Sequence, residues 1–184
     1  IVGFSSNKHL KLPTGNMLYL AGTAVEKESG GTGLYSLVRP FSVLYELHRG
    51  RDFSHVGSRT QNPIVFASLG KLGVHPKLSG EAAPREIRSA ALHLSKHLSP
   101  GKRFNPRTFV IRRAFPGSLY EAPPKHREEA INRFVYSRMK IGDGDALLMV
   151  NKLNPDHIKE VFLEAAGKVN QAAAYRMLRQ LLSK

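Results

Sequence analysis

His93 and His97 stand four residues apart in HLSKH, a spacing that puts two imidazoles on one helical face and could offer them to one metal ion. No glutamate lies between them, so the zinc-protease pattern is absent. The competing reading is a pair of polar-face histidines beside phosphates. DGDA at 143–146 opens like a calcium loop, but the glycine and glutamate such a loop needs would fall on Leu148 and Asn154. GGTG at 30–33 and PGK at 100–102 are pieces of glycine-rich phosphate loops, and neither follows a strand and opens a helix at the required spacing. Glu128 and Glu129 are neighbours, and adjacent helical positions do not face one another. Nothing matches a nucleophile elbow. The expectation is a protein that is not an enzyme, with no catalytic residue, cofactor, resident metal or small-molecule substrate.

What remains is positive charge. The chain has 28 Lys+Arg against 14 Asp+Glu, a net charge of +14 over 184 residues. Residues 48–116 hold 13 of those cations and 3 of the acids. Segregation of this kind points to a surface that meets a polyanion. The stretch LHRGRDFSHVGSRTQNP, 47–63, is the densest case: His48, Arg49, Arg51 and Arg59 lie among glycines and polar residues with no apolar period. It reads as a loop over 48–62 that cannot fold by itself and takes its shape from a bound nucleic acid, RNA or DNA. Lys71, Lys77, Arg85, Arg88, Lys96 and His97 follow, then Lys102, Arg103, Arg107, Arg112 and Arg113. All fifteen are candidate contacts to RNA or DNA. Arginine offers a planar fork of donors matched to phosphate oxygens, and such contacts supply affinity and position more than base reading.

Elements must hold these side chains. Hydrophobic residues make up 41% of the chain, enough for one core. There is no cysteine, hence no disulfide or thiolate metal site. No apolar run approaches the ~20 residues of a membrane span. Residues 1–33 read as turn-rich, with MLYLAGTAV a short strand. LYSLVRPFSVLYEL (34–47), broken by Pro40, reads as an edge strand or packed arm. PIVFASLG (63–70) reads as a buried strand and 71–80 as a loop. PREIRSAALHLSKHL (84–98) is the clearest helix, its stripe being Ile87, Ala90, Ala91, Leu94 and Leu98, with Pro84 at the first helical position. RTFVIRRAFP (107–116) reads as a strand, 116–130 as a long connection, and 133–150 as a hairpin turning at GDGD. Asn154-Pro155-Asp156 starts a helix with Ile158, Val161, Phe162, Ala165 and Val169 inward, and a further helix covers 171–182. Strands with helices segregated onto one face predict an α+β two-layer sandwich, mostly antiparallel, with two helices on one face and an N-terminal extension.

These residues resemble large-subunit ribosomal protein sixteen, the L-sixteen family of bacteria and organelles. The resemblance begins at His48-Arg49-Gly50-Arg51, the family's HRGR, and continues at Phe66, Gly70 and Pro76. The family helix ARQIEAARVAITRHM is similar to PREIRSAALHLSKHL, with Arg85, Ile87, Ala90 and His97 in register and Lys96 in place of arginine. Gly101-Lys102 match its GK, and RRAFP resembles its IRIFP through Arg113, Phe115 and Pro116. There are departures. RFNPR (103–107) is an insertion, Arg88 stands where glutamate is frequent, and Ala91 replaces an arginine. The family's flexible loop RMGKGKG is similar to RMKIGDG (138–144); on the hairpin reading its equivalent is instead 116–130, without the glycine–lysine run.

The resemblance implies an α+β sandwich bound to large-subunit ribosomal RNA and neighbouring ribosomal proteins, near the site of aminoacyl-tRNA accommodation and the peptidyl-transferase centre. Transfer RNA contact through 116–130 or 138–144 is a further possible partner interaction. The division expected is an extension at 1–47 facing neighbouring proteins, an L-sixteen-like domain at 48–170 and an added helix at 171–184. The extension, the divergence and the start at Ile1 make a mitochondrial ribosome in the matrix the expectation, ahead of bacterial cytoplasm or chloroplast. Two rivals stand beside it: a free-standing RNA-binding or assembly factor, and a metal-dependent enzyme using His93 and His97.

Overall fold

The computed structural model describes residues 3–25 and 34–168. Its architecture is α+β, a six-stranded mixed sheet with five helices. The strands are β1 (Gly3–Leu12), β2 (Gly15–Val25), β3 (His55–Thr60), β4 (Phe104–Asn105), β5 (Val110–Ile111) and β6 (Ala146–Lys152). The helices are α1 (Leu34–His48), α2 (Pro63–Gly70), α3 (Arg85–Leu98), α4 (Glu129–Tyr136) and α5 (Pro155–Lys168). The order across the sheet is β1-β2-β3-β6-β5-β4. Among the described strands only β2 and β3 run parallel, in register Met17↔His55 to Tyr19↔Gly57. Residues read from sequence as an extension thus give β1, β2 and α1 to the sheet and its core. The helix expected over 171–182 lies outside the described residues.

The α3 stripe is as its period predicts: Ile87, Ala90, Ala91 and Leu94 are buried and Leu98 packs at the margin. Pro84 sits one place earlier than expected, in the cap position, where its carbonyl accepts the first helical bond from Arg88 N–H at 3.0 Å. α5 begins as read, with Asn154 Oδ1 accepting from His157 N–H at 3.1 Å. β6 is buried through Ala146–Val150: β3 and β5 pair with both its edges and α3 packs on it.

Several expected elements differ. The stretch 34–47 is the helix α1, with Pro40 inside it. Leu34, Leu37, Val38 and Phe41 recur at helical spacing and pack on Phe162 and Ala165 of α5, and this burial outweighs the hydrogen bond that Pro40 cannot donate. The stretch 63–70 is the helix α2: Asn62 Oδ1 accepts from Ile64 N–H at 2.8 Å and Pro63 fills the first position. The hairpin expected at 133–150 is α4 followed by β6, because Ile131, Phe134 and Val135 bury a helical face. The strand expected over 107–116 shrinks to Val110–Ile111, since Phe109 and Arg113 adopt positive φ of 59° and 52°. The insertion 103–107 supplies β4 and the turn into β5, where Asn105 Oδ1 accepts from Arg107 N–H.

The largest revision concerns the loop expected at 48–62. Its second half is β3, a central strand. It lacks large apolar residues because it is packed tightly: a Cβ on Gly57 would lie 2.7 Å from Leu94 of α3 and 2.8 Å from Met17. Its polar groups find partners. Ser58 Oγ donates to the Leu20 carbonyl at 2.9 Å, and Thr60 Oγ1 accepts from Asn62 N–H at 2.9 Å.

Gly144 occupies a left-handed conformation, φ 78°, and a Cβ there would stand 2.0 Å from the Phe115 carbonyl oxygen. Gly144→Ala is therefore expected to lower unfolding free energy by more than about 1 kcal/mol, measured by urea titration. Burial lowers the pKa of both His55 and His75, with Glu86 opposing the shift at His55 and Lys77 reinforcing it at His75. Each is bound neutral in the fold. Stability should be fully present above the unfolded histidine value, about 6.5, and decline as pH falls from there through the lowered folded values. Chemical denaturation between pH 8 and pH 5 tests this, and His55→Gln should flatten the curve.

Candidate nucleic-acid interface

The C-terminus of α1 sets the HRGR residues. Gly50, at φ 71°, closes the helix: its N–H donates to the Leu47 carbonyl at 3.0 Å and Arg51 N–H to the Glu46 carbonyl at 3.1 Å. This is a Schellman cap. His48, Arg49 and Arg51 are thus exposed on a fixed helix end, where cations also complement the helix dipole. The Arg49 guanidinium lies 5.7 Å from the Tyr45 ring centre.

A groove of about 690 Å³ runs between the start of α3, the 76–83 loop and the turn at 106–109. It gathers Lys77, Arg85, Arg88, Arg107 and Arg138, with Glu81 its one acid among the described residues. Glu81 is held by Lys77 Nζ at 2.9 Å, and that hydrogen bond holds its carboxyl below the usual range. Arg88 donates to the Ala83 carbonyl, bracing the groove wall. Arg138 was not among the sequence candidates. Its guanidinium stacks 3.5 Å from the Phe134 ring centre and donates to the Phe134 carbonyl at 3.0 Å, and burial lowers its pKa. The i−4 aromatic was the available signal. A separate hollow of about 500 Å³ joins Lys102 and Arg113 beside Phe115, with Asp143 on its edge.

Other candidates are elsewhere or already engaged. Arg59 is half-buried, donates to Ser99 Oγ at 2.8 Å and lies 4.3 Å from the Phe115 ring centre, so it ties β3 to the end of α3. Arg112 donates to Asp145, which is buried and also accepts from Arg113 N–H at 3.0 Å and Lys140 N–H at 2.9 Å. Burial alone would raise the Asp145 pKa; these donors outweigh it and bring it below the usual carboxylate value. Lys96 and His97 are exposed roughly 16 Å along α3 from Arg85, at 1.5 Å per residue. Lys71 is exposed after α2, and Arg103 is exposed before β4. His93 and His97 gain no third ligand: among the described residues no group of three or more His, Asp or Glu side chains could hold a metal ion.

The site thus defines an α+β protein with a rigid cationic groove. Comparison with protein families, with curated proteins and with solved structures finds no match to this chain.

Removing Arg85 and Arg107 together should weaken binding to RNA of any sequence and make the dependence of log affinity on log salt shallower by about one contact per residue. Filter binding from low to moderate salt reads both. Arg59→Ala should instead lower the melting temperature, because it unties β3 from the end of α3.

Proposed function

We propose that this chain is a structural RNA-binding protein of the large subunit of the mitochondrial ribosome, of the L-sixteen type that its sequence resembles. The observation that carries the reading is the groove in which five cations meet a single acid. Its walls are a helix, a proline-containing loop and an asparagine-locked turn, so the cations are positioned before RNA arrives. Phosphates displace counterions there, and the released ions supply much of the affinity. Arg49 and Arg51 on the α1 cap and Lys102 with Arg113 add backbone contacts beyond the groove.

The connection 138–144 joins α4 to β6 and carries Arg138 into the groove. On this reading RMKIGDG (138–144), which follows α4, serves as the counterpart of the family's flexible loop and is the stretch that would come nearest to transfer RNA. Ribosomal RNA and adjoining ribosomal proteins are the partners on this reading, and the matrix is the compartment.

Density-gradient fractionation of mitochondrial lysate tests it. The chain should migrate with large subunits and remain there after a high-salt wash. A chain released by the wash, or found only in the light fractions, would overturn the ribosomal reading in favour of a free-standing RNA-binding factor.

A further inference from the structure

Apart from the groove, a smaller cavity of about 250 Å³ lies where β2, α1, β3 and the 115–120 segment meet. Arg39 and Arg59 both line it, with Tyr19, Tyr35 and Tyr120 around them. Its described lining contains no carboxylate. Arg39 is 3% exposed. Its Nη2 donates to Tyr35 Oη at 3.1 Å, while Nε and Nη1 have no partner. Arg59 spends Nη1 on Ser99, and its Nε is buried without a partner. Buried donors of this kind are normally satisfied. A buried and a half-buried guanidinium facing one cavity, with no acid among its described lining residues, form an unfavourable arrangement that an anion relieves.

The wall opposite the arginines is fixed. Gln61 is fully buried, accepts from Leu119 N–H at 2.9 Å and donates to the Asp145 carbonyl at 2.8 Å, which pins the 115–120 segment against the end of β3. The cavity is therefore built into the fold. Its volume exceeds the share of one water, about 30 Å³, severalfold, which leaves room for a sugar beside a tetrahedral oxyanion. Two positive charges match a phosphomonoester, which carries about −1.5 to −2 near pH 7. A phosphodiester or carboxylate brings only one negative charge.

We propose that this cavity binds a phosphomonoester, its phosphate oxygens accepting from the free guanidinium N–H groups of Arg39 and Arg59. Two sources share that chemistry, a free sugar phosphate and the phosphorylated 5′ end of an RNA strand. The site stands apart from the groove and does not depend on the ribosomal reading.

Calorimetric titration of the full chain with ribose 5-phosphate, at constant ionic strength against a chloride control, tests it. Saturable one-to-one binding is expected. Arg39→Met should weaken it at least tenfold. Ala21→Trp, a change at an exposed residue on the cavity rim, should block it even where Arg39→Met fails to fold. Matched RNA strands with 5′-phosphate and 5′-hydroxyl ends identify the source: a preference for the phosphorylated strand assigns an RNA end, and equal binding assigns the free sugar phosphate. Absence of saturable binding of ribose 5-phosphate overturns the inference, as does binding by Ala21→Trp equal to that of the unaltered chain.

Discussion

The carboxylate of Asp145 is the point on which the arrangement of charge depends. It is buried, at 1% exposure, immediately before β6, whose first five residues are buried. Burying an ionised carboxylate without partners costs on the order of several kcal/mol. Three donors offset that here: the Arg112 guanidinium and the N–H groups of Arg113 and Lys140. Those bonds join the segment after β5 to the segment before β6. The adjoining Gly144 makes a second link, its carbonyl accepting from Phe115 N–H at 3.0 Å. Gln61 makes a third through the Asp145 carbonyl. The 112–120 segment, which has no regular secondary structure, is thereby held at a defined place.

This node sorts the cations into two kinds. Arg112 and Arg59 hold the fold together, one through Asp145 and the other through Ser99 and the Phe115 ring. Arg113 offers only its backbone N–H to the node, and its side chain stays exposed beside Lys102. Arg85 and Arg88 project from α3, and Arg107 from the turn that Asn105 Oδ1 fixes by accepting from its N–H. A net charge of +14 is thus not a uniform coat. Part of it stabilises the chain, part is presented on rigid supports, and part lies in a cavity with its donors unmatched.

Legibility in the sequence followed the strength of local patterns. α3 and α5 were readable because a full apolar stripe and, for α5, an Asn-Pro start both pointed the same way. α1 was hidden by Pro40, whose local cost is outweighed by burial against α5. β3 was hidden because its fit depends on smallness and not on hydrophobicity: Gly57 lets Leu94 approach, a tertiary fact with no local trace. α2 and α4 are eight residues each, too short for the helical period to stand out from a buried strand. Among the candidate contacts, charge alone could not separate Arg107, free at a turn, from Arg112, committed to an acid 33 positions later.

The same limit hides Arg39 as a site. It lies in the nearly neutral first quarter of the chain, flanked by Val38 and Pro40, inside a stretch that reads as apolar packing. Its significance comes only from the register of the sheet. Parallel pairing of β2 with β3 sets Tyr19 beside Gly57, so the following residues of both strands run on together. That register places Arg59 against the β2 side chains while α1, packed on β1 and β2, brings Arg39 to the same end. An antiparallel β2–β3 pair would have reversed one strand and separated the two guanidiniums. The parallel β2–β3 pairing, the one such pairing among the described strands, is therefore the feature that gives this protein a cationic cavity distinct from its exposed groove.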